Sequence, residues 1–277
     1  MRSLNIVGAG HVGRVLGRLF AARGAFRVQD VLTRSPASAR AAVAFIGAGA
    51  AVAGYAQLRR ADLTMLAVGD DQIGPACAAL AAAGLLEGTT LFHCSGALAS
   101  GELAAAAAAG AAVASVHPIR SFADPEAVAG AFAGTWCGVE GDAAALAALE
   151  PALLAIGAQP VPIDAAAKTL YHAAAVFASN YLVTLLDAAL RAYQAAGIPE
   201  PVARQLVRPL VEETAANVFR LGAAPALSGP LARGDLATVD RQRRAVRAWD
   251  AATGRLYEAL EAPTTELARR KRATPPA

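Results

Sequence analysis

The sequence predicts an α/β fold, with an N-terminal doubly wound sheet over residues 1–163 followed by an all-α region over 164–277. Three observations predict it. A short apolar run at 4–7 ends in a glycine loop that opens a helix. Apolar runs and helical patterns then alternate as far as Ile163, the order that builds a parallel sheet with helices on both faces. Beyond Ile163 the strand signal stops and only helical patterns follow.

Taken in order, residues 4–7 form the first strand, and 11–23 a helix with Val12, Val15, Leu16, Leu19 and Phe20 along one side. Residues 26–32 read as the second strand, Pro36 opens a helix reaching Ile46, and 51–53 is a weak third strand. Residues 63–68 form a strand bounded by Asp62 and the loop Gly69-Asp70-Asp71. Strands at 89–93 and 111–117 follow, the alanine-rich stretch 104–114 being a helix that turns into a strand. Two short strands, 135–139 and 159–163, flank a helix over 142–156. In the second part, Asp164 caps a long helix over 165–196 that ends at Gly197, with Pro199 just beyond. A helix over 200–221 carries Pro209 as a kink or break. Residues 222–234 read as a loop, and Asp235 or Thr238 caps a third helix to Glu261.

With 277 residues, 56% of them hydrophobic and 17% charged, the chain can bury one large or two modest cores, and disorder is not expected. Alanine inflates the mean hydropathy of +0.40. The uncharged runs 103–118 and 173–186 are not spans of about 20 strongly apolar residues, so no membrane partner is expected. Aromatics make up only 5%, which offers no stacking platform for bases, so no nucleic-acid partner is expected either. The basic cluster Arg269-Arg270-Lys271-Arg272 reads as a solvated, frayed tail. Cys77, Cys94 and Cys137 lie far apart with no disulfide or metal-ligand spacing. That usage and the absence of a signal peptide fit a cytoplasmic protein without a metal.

Gly8-Ala9-Gly10-His11-Val12-Gly13 has the G-x-G-x-x-G spacing between a strand and a helix, which is the dinucleotide-binding context of a Rossmann domain. Gly8 allows the tight turn, Gly10 lets a pyrophosphate approach the backbone, and Gly13 lets the helix pack against the strand. The free N–H groups of the helix start meet the phosphate charge. Dinucleotide enzymes that prefer NAD place a carboxylate about 20 residues further on. Here that place holds Thr33-Arg34-Ser35, while Asp30 comes too early and lies inside the strand. A guanidinium with two hydroxyls suits a ribose 2′-phosphate, so the expected cofactor is NADP, with NAD possible. Val68 and Asp70, at the end of the strand 63–68, complete the expected cofactor set of Gly8, Gly10, His11, Val12, Gly13, Thr33, Arg34 and Ser35.

Ligands of an open parallel sheet bind outside the carboxyl ends of its strands. His93-Cys94-Ser95-Gly96 and His117-Pro118 end two strands and therefore fall on that rim. Ser95 can orient a substrate oxygen, with Gly96 beside it, and His117 can exchange a proton near neutral pH. His93 reads as a residue inside its strand and Cys94 as a packing residue. Lys168 opens the helix of the second part, where the helix dipole lowers its pKa, unless it pairs with Asp164. His172, four residues on, faces the same way and would tune it. Asn180 and Arg233 are further candidates for substrate binding.

These residues together resemble the 6-phosphogluconate dehydrogenase-like superfamily of Rossmann oxidoreductases. That group includes β-hydroxyacid dehydrogenases, ketopantoate reductase, pyrroline-5-carboxylate reductase and prephenate dehydrogenase. The chain most resembles the Rossmann-like branch with a C-terminal helical domain of unknown function. The features that carry this are Ser95-Gly96, His117-Pro118, the helix Lys168-Thr169-Leu170-Tyr171-His172-Ala173-Ala174 through Ala178-Ser179-Asn180, and the loop Gly229-Pro230 to Arg233-Gly234-Asp235. The resemblance extends to about residue 262. It implies that Ser95 and His117 contact substrate and that Lys168 matches the catalytic lysine of the hydroxyacid dehydrogenases. Those enzymes place asparagine where His172 stands here. It also implies a helical domain that dimerises.

The expected function is an NADP-dependent oxidoreductase that moves a hydride between nicotinamide and a small, carboxylate-bearing molecule at a C–O or C–N bond, with Ser95, His117, Lys168 and His172 as its catalytic residues. The alternatives are a non-catalytic NADP sensor, and an imine reductase resembling pyrroline-5-carboxylate reductase.

Overall fold

The computed structural model describes residues 1–273 and divides into two compact units, Met1–Ser179 and the chain from Asn180 on. The first unit takes in the stretch 164–179, which the sequence reading assigned to the helical part.

The first unit is built on one eight-stranded sheet: β1 (Ser3–Val7), β2 (Arg27–Leu32), β3 (Ala50–Val52), β4 (Leu63–Leu66), β5 (Thr90–His93), β6 (Ala112–Pro118), β7 (Trp136–Gly141) and β8 (Gln159–Pro162). The spatial order is β3-β2-β1-β4-β5-β6-β7-β8. The six strands β1–β6 run parallel, as expected. The last two correct the expectation of a wholly parallel sheet, because β7 is antiparallel to β6 and β8 runs with β7. The reason lies in the connection. Ile119 N–H donates to the Trp136 carbonyl at 2.8 Å, so the chain re-enters the sheet at the end where β6 leaves it.

Strand side chains alternate between two cores, because successive residues point to opposite faces of a sheet. Leu4, Ile6, Met65 and Phe92 pack with α1 (His11–Ala22), α2 (Pro36–Ile46), α5 (Pro125–Gly130) and α6 (Ala143–Ala155). Val7, Leu66, Leu91 and Val113 pack with α3 (Asp70–Ala82) and α4 (Ala104–Ala108). The sheet is therefore covered on both faces. Helix α3 escapes a reading by periodicity because Gly74 and Pro75 interrupt it. Burial of Ile73, Ala76, Cys77 and Leu80 against the sheet overrides that local signal.

The predicted helix 165–196 is a composite. Asp164 accepts from Ala166 N–H and caps a short 3₁₀ turn, followed by α7 (Lys168–Val176), a π-helical turn at Phe177–Tyr181 and α8 (Leu182–Ala195). The stretch Ala165–Ala195 is long and apolar enough to cross a membrane by length and hydropathy alone, which the shorter runs read from the sequence did not suggest.

The second unit is helical. Helix α9 (Glu200–Leu221) continues through Pro209 without a break. The predicted loop contains α10 (Ala223–Ala226) and α11 (Pro230–Arg233). Asp235 caps α12 (Leu236–Trp249) by accepting from Thr238 N–H. The predicted third helix is split at Asp250, which is extended and whose carboxylate accepts from Thr253 N–H at 2.7 Å to start α13 (Ala251–Ala273). The basic cluster is thus a helical last turn and no frayed tail. Arg269 pairs with Glu266, and Lys271 Nζ donates to the carbonyls of Pro225 and Leu227. Basic side chains there complement the carbonyl end of the helix.

Candidate active site

The glycine loop turns and packs as its spacing predicts. Gly8 has φ +83°, and a Cβ there would stand 2.6 Å from the Ala67 carbonyl oxygen, so only glycine fits. A Cβ on Gly13 would lie 2.5 Å from the Gly8 carbonyl oxygen, which is the close approach of α1 to its strand. A Cβ on Gly10 would meet nothing within 4 Å. Gly10 is also the N-cap of α1 and brings no side-chain cap, and the first turn carries no acid. The opening amides of α1 are therefore not answered by any side-chain cap, and the backbone in front of them is open. His11 is held beside them, its Nδ1 2.6 Å from the Phe122 carbonyl oxygen.

A cleft of about 880 Å³ opens at the carboxyl ends of the central strands, lined by Gly8, Thr33, Arg34, Tyr55 and Val68 among others. Asp30 is 1% exposed and accepts from the Arg59 guanidinium and backbone, so it is spent inside the fold. Thr33 Oγ1 donates to the Ser35 carbonyl, and Ser35 caps α2. Of the three residues expected to meet a 2′-phosphate, Thr33 and Arg34 line the cleft, and Ser35 stands at the adjoining helix N-terminus.

A second cleft of about 430 Å³ lies beside the first and shares Val68 with it. It brings together Gly10, His11, Val12 and Asp70 from the expected cofactor set with Ser95, Gly96, His117 and His172 from the expected reaction set. Two imidazoles press on Gly96: a Cβ there would lie 2.4 Å from His172 Nδ1 and 2.7 Å from His117 Nε2. His117 Nδ1 is 2.8 Å from the Tyr171 hydroxyl. Burial first, then the neighbouring His172 and Lys168, push the His117 pKa down to about 4, so the ring is neutral at neutral pH. Burial pushes Tyr171 up to about 12, so it keeps its proton. His172 Nδ1 is buried with no hydrogen-bond partner.

Ser95 Oγ accepts from the amides of Ala97 and Leu98, which leaves its O–H free to donate into the cleft. His93 is fully buried, accepts from Ser95 N–H and bonds the Ala99 carbonyl, as a structural histidine does. The Cys94 thiol is raised to about 12 by burial and stays protonated.

Lys168 stands apart from this group. It is 1% exposed and does not line the cleft. Its ammonium faces Ser95 O, Ser115 Oγ and Glu140. It does not pair with Asp164, and His172 turns to His117 and Gly96 instead. Asn180 and Arg233 belong to the second unit, where Arg233 ends α11. Sequence reasoning passed over Tyr55 and Arg120, which line the clefts, and Ser100, Ser115 and Glu140, which lie behind them. Only Glu140, a lone carboxylate in the strand pattern Cys-Gly-Val-Glu-Gly, offered a signal. Among the described residues no cluster of potential metal ligands occurs.

Comparison with known proteins agrees with this architecture. Residues 1–118 match the model of a Rossmann-like domain, and residues 135–264 match a domain of unknown function, DUF2520. No curated protein matches the chain. Among solved structures, a protein of Thermotoga maritima is 28% identical with TM-score 0.72, over 97% of this chain and 99% of that one. A Bacteroides fragilis protein assigned as an NADP oxidoreductase is 21% identical with TM-score 0.78, over 96% and 98%. A pyrroline carboxylate reductase of Plasmodium falciparum, solved with NADP bound, is 14% identical with TM-score 0.60, over 96% and 98%. The chain thus matches a Rossmann-like domain in its N-terminal part and DUF2520 in its C-terminal part, and it has the fold of these solved structures.

Proposed function

We propose that this protein is an NADP-dependent oxidoreductase acting on a small carbonyl or imine compound. The observation that carries the reading is the start of α1: amides without a side-chain cap behind an open Gly10, at the mouth of a cleft. Such a helix end stabilises a phosphate group. The glycine loop and α1 would hold the pyrophosphate, and Thr33, Arg34 and Ser35 the 2′-phosphate. Relatives in fold solved with NADP support the same cofactor.

When bound, NADP supplies or takes up the hydride. The chain's own residues handle the rest. A Tyr171 phenol that keeps its proton donates to His117 Nδ1, which leaves Nε2 to carry the imidazole proton. Nε2 is the nitrogen that faces Gly96 and the cleft, so His117 would give its Nε2 proton to a substrate oxygen or nitrogen as that atom takes up the hydride's counter-proton, while Nδ1 receives the Tyr171 hydroxyl proton in exchange. The Ser95 hydroxyl orients that atom. Arg120 lines the same cleft and brings a positive charge suited to a substrate carboxylate. The free thiols fit a reducing, cytoplasmic setting. In the second unit, exposed Val202, Leu206 and Leu210 along α9 support pairing with another copy of the chain.

The test is NADPH consumption against a panel of 2-oxo acids, 3-oxo acids and cyclic imines. The reading expects turnover with at least one member, lost about 10²–10⁴-fold in His117→Gln as for removal of a general acid. NADPH binding with no turnover across the panel is the behaviour of a sensor and would replace this reading.

A further inference from the structure

Lys168 is surrounded by acceptors. Nζ donates to the Ser95 carbonyl at 2.9 Å and to Ser115 Oγ, and lies 3.5 Å from Glu140 Oε1. An ammonium has three donors, and each has a partner here. Glu140 is equally engaged, since its two oxygens accept from Ser100 N–H at 2.7 Å and Ser100 Oγ–H at 2.6 Å. The Ser95 backbone is gripped from both sides, its N–H by His93 Nδ1 and its carbonyl by Lys168. Directly beyond it, the His117 and His172 imidazoles pack against Gly96.

We propose that Lys168 is a positioning residue: its buried pair with Glu140, tied to Ser100 and Ser115, fixes the Ser95–Gly96 turn from behind and so sets where the Ser95 hydroxyl and the two imidazoles meet the substrate. The proton at the cleft then belongs to His117. This rests on the smaller cleft being the reaction site. It adds Glu140, Ser100 and Ser115 to the residues on which that site depends. A buried ion pair can be tested apart from the fold, because apolar replacement of both partners is often tolerated in stability.

The chain has only two lysines, Lys168 and Lys271, which makes a chemical test clean. Reductive methylation of the native protein with formaldehyde and a borane should modify Lys271 and leave Lys168 unmodified, while both react in denaturant. Labelling of native Lys168 at the rate of Lys271 would overturn the proposal, since the amine would then reach solvent through the cleft. The positioning role is read in Lys168→Met/Glu140→Met, with Lys168→Met alone as a second variant. The double variant should bind NADPH within about threefold of wild type. Its Ser95 and Gly96 amide signals and its His117 and His172 imidazole signals should broaden or shift in NMR spectra. The His117 titration midpoint should rise once the ammonium is gone. Amide and imidazole signals and a titration that superimpose on wild type would also overturn it. Calorimetry with NADPH on unmodified protein tests the cofactor reading separately, so the two failures are distinguishable.

Discussion

The Tyr171 hydroxyl lies 2.8 Å from His117 Nδ1, and the two rings meet edge to face with centroids 5.5 Å apart and planes at 86°. The contact ties α7 to the end of β6 and fixes which imidazole nitrogen faces the cleft. Tyr171→Phe should therefore keep the fold and NADPH affinity but lower turnover about tenfold, because the ring loses the partner that sets its tautomer. Steady-state kinetics on the best substrate of the panel provide the check.

The depressed His117 pKa makes stability depend on pH. The folded state holds the ring neutral to about pH 4, against an ordinary 6.5. Between those values the unfolded chain binds the extra proton, so the contribution is fully present above pH 6.5 and is lost as pH falls towards 4. With partial exposure of the ring discounted, about 1–2 kcal/mol is at stake. Urea unfolding at pH 7 and pH 4.5 should show that loss in wild type and a smaller one in His117→Gln.

Gly8 and Gly10 should part company under substitution. Gly8→Ala forces a side chain into a positive-φ position against the Ala67 carbonyl, a destabilisation of about 2 kcal/mol or more. Gly10→Val meets open space and should leave the melting temperature almost unchanged while weakening NADP binding by at least about tenfold. Thermal melts paired with binding titrations separate the two effects.

Arg34→Ala should cost NADP about 10–100-fold in affinity, as removal of a charge-assisted contact to a phosphate does, and leave NAD within about twofold. Equal losses for both dinucleotides would place the arginine somewhere other than beside the 2′-phosphate.

Asp30 offers the reverse control. Its carboxylate is buried against Arg59, so Asp30→Ala should cost about 2–3 kcal/mol of stability and leave the ratio of NAD to NADP affinity unchanged. Denaturant unfolding and two binding titrations check both halves.

The parts of this molecule that were legible in its sequence are those governed by local chemistry. The glycine spacing, the alternation of the first six strands with helices, the place of Asp30 inside its strand, the cap at Asp235 and the position of Ser95, Gly96 and His117 at strand ends all follow from strand ends and turn residues. Long-range choices were not legible. The reversal of β7 is set by a pairing between Ile119 and Trp136 that no periodicity announces. Helix α3 forms against the signal of Gly74 and Pro75 because the sheet buries its apolar face. Lys168 reads as a reactive lysine at a helix start, and only the fold brings Glu140 and Ser115 to it from two other strands.

The account depends most on the start of α1 receiving a dinucleotide phosphate, and isothermal titration of folded wild-type protein with NADPH and NADH measures this directly. The account predicts saturable binding of NADPH, tighter than NADH and lost in Gly10→Val. Absence of heat with both dinucleotides, at concentrations up to millimolar on protein with a cooperative melt, would contradict it.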